Sequence, residues 1–556
     1  MVVAPVTRPG RDCSPRLVDL DAERASYRIE VPDRFNAVLD IVETWASEDP
    51  DALAVLSLDE LGDVVAAQST ADLARASRQA ARALLDLGVG KGDHVFVMLP
   101  RIPEWYAALL GAMRIGAIPM PGPNLLTPKD IAYRFGQTGA TAAITDEAGA
   151  AKVDVAVPDL RTRLCVGAAP AGWLSFAERC DVAGDGETPA DPTSPDDPLL
   201  LYFTSGTVSY PKMVQHAHSY ALGHVGTARF WHDLRAGDLH WTVTDTGWAK
   251  AAWGGLFGQM HERAAILNVA LGRPEPETIF NILARHGVTS FCAPPTLYRR
   301  LVLADFSPYD LSALRHCTSA GEPLNPEVIR AWEEGTNGLT VYDGYGQTET
   351  TCLVANYRTM EVRPGSMGRP VPGYEVSVVA DDGSPVEPGE VGNVVVRCRP
   401  NHPIGLFTGY YGDPVATAQS FHGDFYYTGD RAAMDEDGYF WFEGRDDDVI
   451  TSSAYRIGPF EVESVLVEHA SVMEAAVVGK DDPQRTQIVT AFCLLAPGQA
   501  GSPELALELQ EFVKSSTAPY KYPREIYFVD ELPKTISGKI RRSELRERLR
   551  REGPDG

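Results

Sequence analysis

The sequence predicts an α/β protein with a large N-terminal domain of doubly wound sheets, a small β-barrel-like subdomain and an α+β C-terminal domain. Three observations predict it. Apolar strands alternate with amphipathic helices through the first part of the chain. Between residues 370 and 445 the texture changes to short strands separated by turn residues. From residue 448 helix and strand patterns mix again, over a stretch of about one hundred residues, near the usual domain size. The chain has 556 residues, 44% hydrophobic and 23% charged. That composition is ordinary for a globular protein with a large core.

In order along the chain, residues 71–89 place Leu73, Ala76, Ala80, Leu84 and Leu87 on one helical face. HVFVML (94–99) reads as a buried strand. Pro100 breaks it, and Pro103 suits the start of a helix running through Ile115. AAIT (142–145) and RLCVG (163–167) are strand-like. Residues 183–197 are acidic and rich in Pro, Gly, Ser and Thr, so they read as a joint rather than an element. LLLYF (199–203) is an apolar strand, and a second alternating region runs to about residue 360. YEVSVV, EVGNVVVRC and GYFWFEGR form the small antiparallel sheet or barrel. In the last part FEVESVLVEH and ELALELQEFVKSS read as helices, MEAAVVG and IVTAFCLL as strands.

Net charge is −26, which argues against general nucleic-acid binding and against docking on anionic lipid. No apolar run reaches the roughly 18 residues of a membrane span. The acidity is uneven. From Asp448 onward 14 basic residues face 17 acidic ones, so nearly all the excess lies earlier. A region so much less acidic can receive a polyanion, although a solvated basic tail helix explains it equally. The eight cysteines form no CxxC pair and no zinc-spaced cluster, so free buried thiols in a reducing compartment are expected. The first twenty residues hold three arginines but no apolar core for a secretory signal. Asp12, Asp19 and Asp21 count against a mitochondrial presequence, and arginine outnumbers lysine 40 to 10, as in GC-rich bacterial genomes. A cytoplasmic location is the expectation.

Five segments carry chemistry. TSGTVSYPK (204–212) follows the LLLYF strand and offers hydroxyls, a glycine and a lysine to phosphate oxygens. It is not a Walker A loop, because no glycine precedes Lys212, and an ordinary polar turn competes with the reading. In DGYGQTET (343–350) glycines flank Tyr345, so backbone and ring can approach a planar ligand, and Glu349 can hold magnesium through oxygen. YTGD (427–430) and GRDDDVI (from Gly444) offer Asp430 to ribose hydroxyls and Arg445 to phosphate. SSAYRIGPFEVES (452–464) is the fourth, and PKTISGKIRR (533–542) the fifth, with Ser537 and Gly538 presenting Lys539 on a tight turn. Singly, the third and the fifth read as solvated surface features.

Together, in this order and with AGEP (320–323), they resemble the adenylate-forming superfamily of acyl-CoA synthetases, adenylation domains and luciferases. TDTGWAK (244–250), RPNHPIGLFTGYYGDP (399–414), TAPYKYPREIYFV (517–529) and LPKTISGKIRR (532–542) resemble the medium-chain acyl-CoA synthetases in particular. The resemblance spans nearly everything after residue 30. It implies a medium-chain acid–thiol ligase using ATP, Mg2+ and coenzyme A. An acid attacks the α-phosphate of ATP to give acyl-AMP and pyrophosphate, then the CoA thiol displaces AMP. It also implies an N-terminal extension (1–30), a large ATP- and acyl-binding domain (31–446) and a mobile C-terminal domain (447–556) that turns about a hinge near Asp447.

By motif, Thr204, Ser205, Gly206, Thr207 and Lys212 would hold the β- and γ-phosphates. Gly321, Glu322, Pro323, Asp343, Gly344, Tyr345, Gly346 and Gln347 would shape the adenine site, Tyr345 stacking on the base. Thr348 would contact the α-phosphate and Glu349 the metal. Asp430 would bind ribose, with Arg445 and Arg456 nearby. Lys539 would stabilise charge during adenylation. After rotation Ser452, Ser453, Ala454 and Arg456 would line the pantetheine path, and Arg485, Lys514, Tyr522 and Arg524 would hold the CoA nucleotide.

Two departures stand out: Val208 and Ser209 where the family favours small residues and glycine, and Ala454 where it favours glycine. Gly346 replaces the tryptophan that floors the pocket of acetate-specific relatives, so a deeper pocket is expected, for a medium-chain fatty acid first and a benzoate-like acid second. A stand-alone adenylating enzyme serving a carrier protein and a silent nucleotide-binding relative are the competing functions. A homo-oligomer and a lysine acetyltransferase acting on Lys539 stay open as partners.

Overall fold

The structure, a computed structural model, describes residues 10–186, 193–204, 211–272, 275–446, 448–452, 455–535 and 539–551, the side chains of Tyr455 and Arg456 excepted. Its framework is a nine-stranded mixed sheet. From one edge the order is Arg369–Pro370, Cys352–Ala355, Val341–Gly346, His316–Ala320, Ser290–Ala293, Leu239–Thr242, Ala265–Val269, Leu53–Leu58 and Val64–Ser69. Its middle strands are parallel and wholly buried, as expected of strands covered on both faces.

A second, parallel sheet runs Ile118–Pro121, His94–Met98, Ala142–Asp146, Thr162–Val166 and Leu174–Ser175. Helices Thr70–Asp86 and Pro103–Arg114 pack near it. The first begins at a Ser69–Asp72 capping box, the second with Pro103 in its first turn. Both stand within a residue or two of the sequence reading at their starts.

LLLYF forms the strand that the sequence predicts. Pro198–Phe203 joins neither large sheet but pairs antiparallel with Met213–Ala217, with Gly409–Tyr410 completing three strands. The region from 370 to 445 is a five-stranded antiparallel sheet, Val376–Val379, Val391–Arg397, Phe425–Met434, Phe421–His422 and Phe440–Arg445. The last part builds its own five-stranded sheet around Val472–Asp482 and Thr486–Leu495. Helices Pro459–Glu468 and Pro503–Ser516 pack over a separate apolar cluster there. All eight cysteines are free, seven of them buried. Among the described residues no helix is long and apolar enough to cross a membrane.

Candidate active site

The site forms where the exits of the nine-stranded sheet meet the antiparallel sheet and the C-terminal part. The strand Val341–Gly346 brings the DGYGQTET segment to this cleft. Asp343 is buried, and the backbone N–H groups of Gly344 and Leu324 support its carboxylate. Burial pushes its pKa up to about 8 against those bonds and the charge of Lys250. One carboxylate oxygen has no partner among the described residues. It is a ready acceptor for an exocyclic amine.

Tyr345 and Gln347 converge on Asp430. The Tyr345 hydroxyl donates to it at 2.6 Å, the Gln347 amide at 2.6 Å, and Arg445 pairs with its other oxygen at 3.3 Å. Tyr426 in turn donates to Gln347 at 2.9 Å. The carboxylate expected at ribose and the ring expected at the base are thus one hydrogen-bonded unit. Pleat alternation places Asp430 there: along Phe425–Met434 it faces inward, paired in register with Arg445.

Glu349 accepts from the Tyr410 hydroxyl at 2.9 Å. Burial raises its pKa, with Tyr410, Arg445 and Lys212 pulling the other way. Lys212 lies 4.5 Å over the Tyr410 ring. A desolvated carboxylate beside the phosphate loop suits a magnesium ion that takes one protein oxygen plus substrate phosphates. No cage of three ligands is needed, and the described residues hold none. Thr348 offers a hydroxyl beside it while its carbonyl accepts from His216 Nε2 at 2.7 Å. Burial lowers His216 to about 3, so this support stays neutral.

Thr204 and Lys212 close the base of the phosphate loop, the Thr204 amide donating to the Lys212 carbonyl at 2.9 Å. Ser205, Gly206, Thr207, Val208 and Ser209 lie outside the described residues, as do Asp447, Ser453, Ala454, Ser537, Gly538 and the Arg456 side chain. Gly321 has a φ of +110° with open space at its Cα, and Glu322 pairs with Arg299 at 3.1 Å. Pro323 follows in the same loop.

Lys539, in the C-terminal part, donates its amide to Thr535 Oγ1 at 3.1 Å. Burial lowers the pKa of Lys250; Cys292, Glu322 and Asp343 oppose this, and Lys539 adds a small further lowering. Lys250 itself donates to the Ala320 carbonyl at 2.8 Å. Asn325 and Ser464, 3.4 Å apart, add a contact between the two parts of the chain. Behind the turn, Arg542 pairs with Glu463 at 2.7 Å and with Asp448 at 3.5 Å, and Arg546 also pairs with Asp448.

The residues expected to hold the CoA nucleotide gather only in part. Lys514 lies 4.3 Å over the Tyr522 ring, and Arg524 donates to the Tyr522 hydroxyl at 2.9 Å. Arg485 lies in the turn between the two long strands, its amide donating to Asp482 at 2.8 Å. Ser452 is buried, its backbone paired with Tyr455 and Thr486.

Gly346, expected to deepen the acyl pocket, has the Trp253 indole against it. A Cβ on Gly346 would stand 2.3 Å from the Thr351 carbonyl oxygen and 2.5 Å from the Trp253 ring. The glycine does not open a void here. It admits the Trp253 indole, which lies edge-on to Trp231, ring centroids 6.3 Å apart. Trp231 presses on Gly344 in the same way. Sequence reasoning assigned no role to Trp253, Trp231, Lys250 or Tyr410. Trp253 lies just beyond the quoted TDTGWAK segment, and the tryptophans near it were the available signal.

Residues 42–411 match the family model of the AMP-binding enzyme, and residues 461–539 that of the AMP-binding enzyme C-terminal domain. The chain belongs to the AMP-binding enzyme family. This AMP-binding enzyme is 42% identical over 541 residues to acyl-coenzyme A synthetase ACSM3, mitochondrial, of Mus musculus, covering 95% of this chain and 93% of that one. It is 45% identical over 529 residues to acyl-coenzyme A synthetase ACSM5, mitochondrial, of Homo sapiens, covering 93% and 91%. The anthranilate CoA ligase AuaEII in complex with anthranoyl-AMP superposes at a TM-score of 0.85 with 31% identity, covering 93% of this chain and 98% of that one.

The mitochondrial relatives overturn the cytoplasmic expectation. Free thiols indicate a reducing interior, which the mitochondrial matrix also provides. The aspartates counted against a presequence serve the fold instead: Asp19 caps a helix and Asp21 pairs with Arg369 at 2.7 Å.

Proposed function

We propose that this AMP-binding enzyme is an AMP-forming acyl-CoA synthetase that joins a medium-chain carboxylic acid to coenzyme A through an acyl-AMP. One observation carries the reading. Tyr345, Gln347 and Arg445 converge on Asp430 in one hydrogen-bonded unit, and the same segment carries the buried Asp343 and Glu349. Identity with acyl-CoA synthetases over nearly the whole chain supports it.

A carboxylate is a poor electrophile with a poor leaving group, and transfer to AMP remedies both. In the first step Asp343 accepts from the adenine amine, Tyr345 stacks on the base and Asp430 takes the ribose hydroxyls. Thr348 and the loop from Thr204 to Lys212 hold the phosphates. Magnesium, when bound at Glu349, neutralises phosphate charge. Lys539 offsets the charge that builds up as the acid attacks the α-phosphate. In the second step the part beyond a hinge near Asp447 turns, Lys539 leaves, and Ser452 to Arg456 line the thiol's path. Lys514, Tyr522 and Arg524, already one cluster, then hold the phosphates of CoA with Arg485. The domain limits 31–446 and 447–556 belong to this proposal.

Lys539 is exposed, open to a lysine acetyltransferase, and acetylation would remove the charge that adenylation uses. An aryl acid is the second substrate class, since AuaEII is an anthranilate CoA ligase. Separate assays decide the matter. Acid-dependent pyrophosphate release together with CoA-dependent AMP release supports the synthetase. The first without the second supports transfer to a carrier protein, and neither supports a silent relative. Ala454→Leu should block the second while sparing the first.

A further inference from the structure

We infer that the segment from Gly10 to Ile29 is the back plate of the acyl pocket and sets the length of acid the enzyme accepts. The inference rests on the acyl-CoA synthetase reading and assigns a task to a segment that the two-step chemistry leaves unused.

The segment is fastened over its whole length. Arg11 donates to the carbonyls of Leu314 at 2.7 Å, Leu311 at 2.8 Å and Thr336 at 3.2 Å. Arg358 donates to the Cys13 carbonyl and Arg235 to that of Ser14, each at 2.9 Å. Arg16 pairs with Glu262 at 2.9 Å, and its amide donates to Asp233 at 2.6 Å.

Between these ties the segment turns its apolar side inward. Leu17, Leu20 and Tyr27 are 2%, 6% and 9% exposed, and they share one buried cluster with Phe230, Trp231 and Trp253. The Tyr27 ring stands edge-on to Phe230 at 5.1 Å. The same two indoles stand where a Cβ on Gly344 and on Gly346 would point. If Gly346 borders the acyl site, as the synthetase reading has it, the N-terminal segment backs the indole layer beside that site.

Both layers share an anchor. Asp233, two residues after Trp231, has a φ of +51° and receives Arg16, Arg235, Arg315 and Arg358. His316 Nε2 holds the Trp231 carbonyl at 2.6 Å. An indole is rigid, so its position is decided by what backs it. Protein interiors pack with few voids, and removing a backing side chain gives the indole room to retreat. Leu17 and Leu20 are thus positioning residues: they act on the acid only through the tryptophans.

The test uses the full-length enzyme with Leu17→Ala/Leu20→Ala, measuring pyrophosphate release with butyrate, hexanoate, octanoate and decanoate and the KM for ATP. Each added methylene that gains room should lower the KM of the longer acid about fourfold relative to the shorter, the ratio that ~0.8 kcal/mol represents. The KM for ATP should stay unchanged. Leu20→Phe should move the profile the opposite way, toward short acids, and it remains informative if the double alanine variant does not fold. Made in a Trp253→Ala background, the leucine changes should add less than in the parent enzyme, because only Trp231 is left to transmit them. A change equal for all acids, or a shift undiminished without Trp253, would overturn the inference. Failure of the underlying reading looks different: the unmodified enzyme would release no pyrophosphate with any acid.

Discussion

Replacing Trp253 with alanine should lengthen the acids that the enzyme accepts. The indole is 6% exposed and fills the space against Gly346, 2.5 Å from where a Cβ on that glycine would stand. Its removal leaves a channel that about four methylenes of a straight chain can occupy. At ~0.8 kcal/mol per buried methylene that is worth ~3 kcal/mol, or roughly 200-fold in kcat/KM for a long acid over a short one. Partial collapse of neighbouring side chains, Trp231 first, reduces this toward about tenfold. The fold should bear the loss. A buried Trp→Ala change costs about 3–5 kcal/mol, against a total stability of roughly 5–15 kcal/mol. The assay is pyrophosphate release across straight-chain acids from acetate to laurate, with a melting curve to establish that the variant is folded. A folded Trp253→Ala enzyme with the parent's chain-length profile would refute the reasoning, because the indole would then not bound the acyl site.

Other substitutions separate the remaining roles. Lys539→Ala should slow acyl-AMP formation by about 10²–10³ while sparing thioester formation from supplied acyl-AMP; equal loss in both half-reactions would count against its assigned role. Tyr410→Phe removes the donor to Glu349, a bond worth about 1 kcal/mol, so the magnesium concentration for half-maximal rate should shift a few-fold with the KM for the acid unchanged. Glu443, four residues before the proposed hinge at Asp447, is pushed from an ordinary 4.5 up to about 7 by burial and by Glu461. The folded chain thus favours its neutral form, a contribution fully present below 4.5 and lost as pH rises through 7. Glu443→Gln should flatten the fall in melting temperature across that window, and an unchanged pH profile would place the titration elsewhere.

The sheets and the site were legible to different degrees, for physical reasons. Strands such as His94–Met98 and helices such as Pro103–Arg114 announce themselves through local pattern and proline placement, and local rules suffice for them. Strand partners are a non-local matter. Nothing in LLLYF tells that it forms a hairpin with Met213–Ala217 rather than joining a parallel sheet. The polar site followed the motifs closely, because Tyr345, Gln347, Glu349 and Asp430 lie in short, chemically distinctive runs. The acyl end did not. Gly346 read as empty space, but a glycine states only that its own side chain is absent. What enters the gap comes from a helix almost a hundred residues earlier, and Trp253 reads there as an ordinary apolar residue.

The strand Leu53–Leu58 pairs with Val64–Ser69 on one side and with Ala265–Val269 on the other. On a ribosome the first partner emerges almost at once, while the second is more than two hundred residues away. At about 5–20 residues per second that is a wait of roughly ten to forty seconds. Throughout it, a strand whose finished form is buried has an unfilled edge in a crowded solution, the condition that favours pairing with the wrong chain. The parallel sheet from residues 94 to 175 can close in the meantime. Synthesis therefore completes the sheet from residue 94 to 175 before the strand that precedes it finds its second partner, and yield in a foreign host should depend on what shelters that early hairpin.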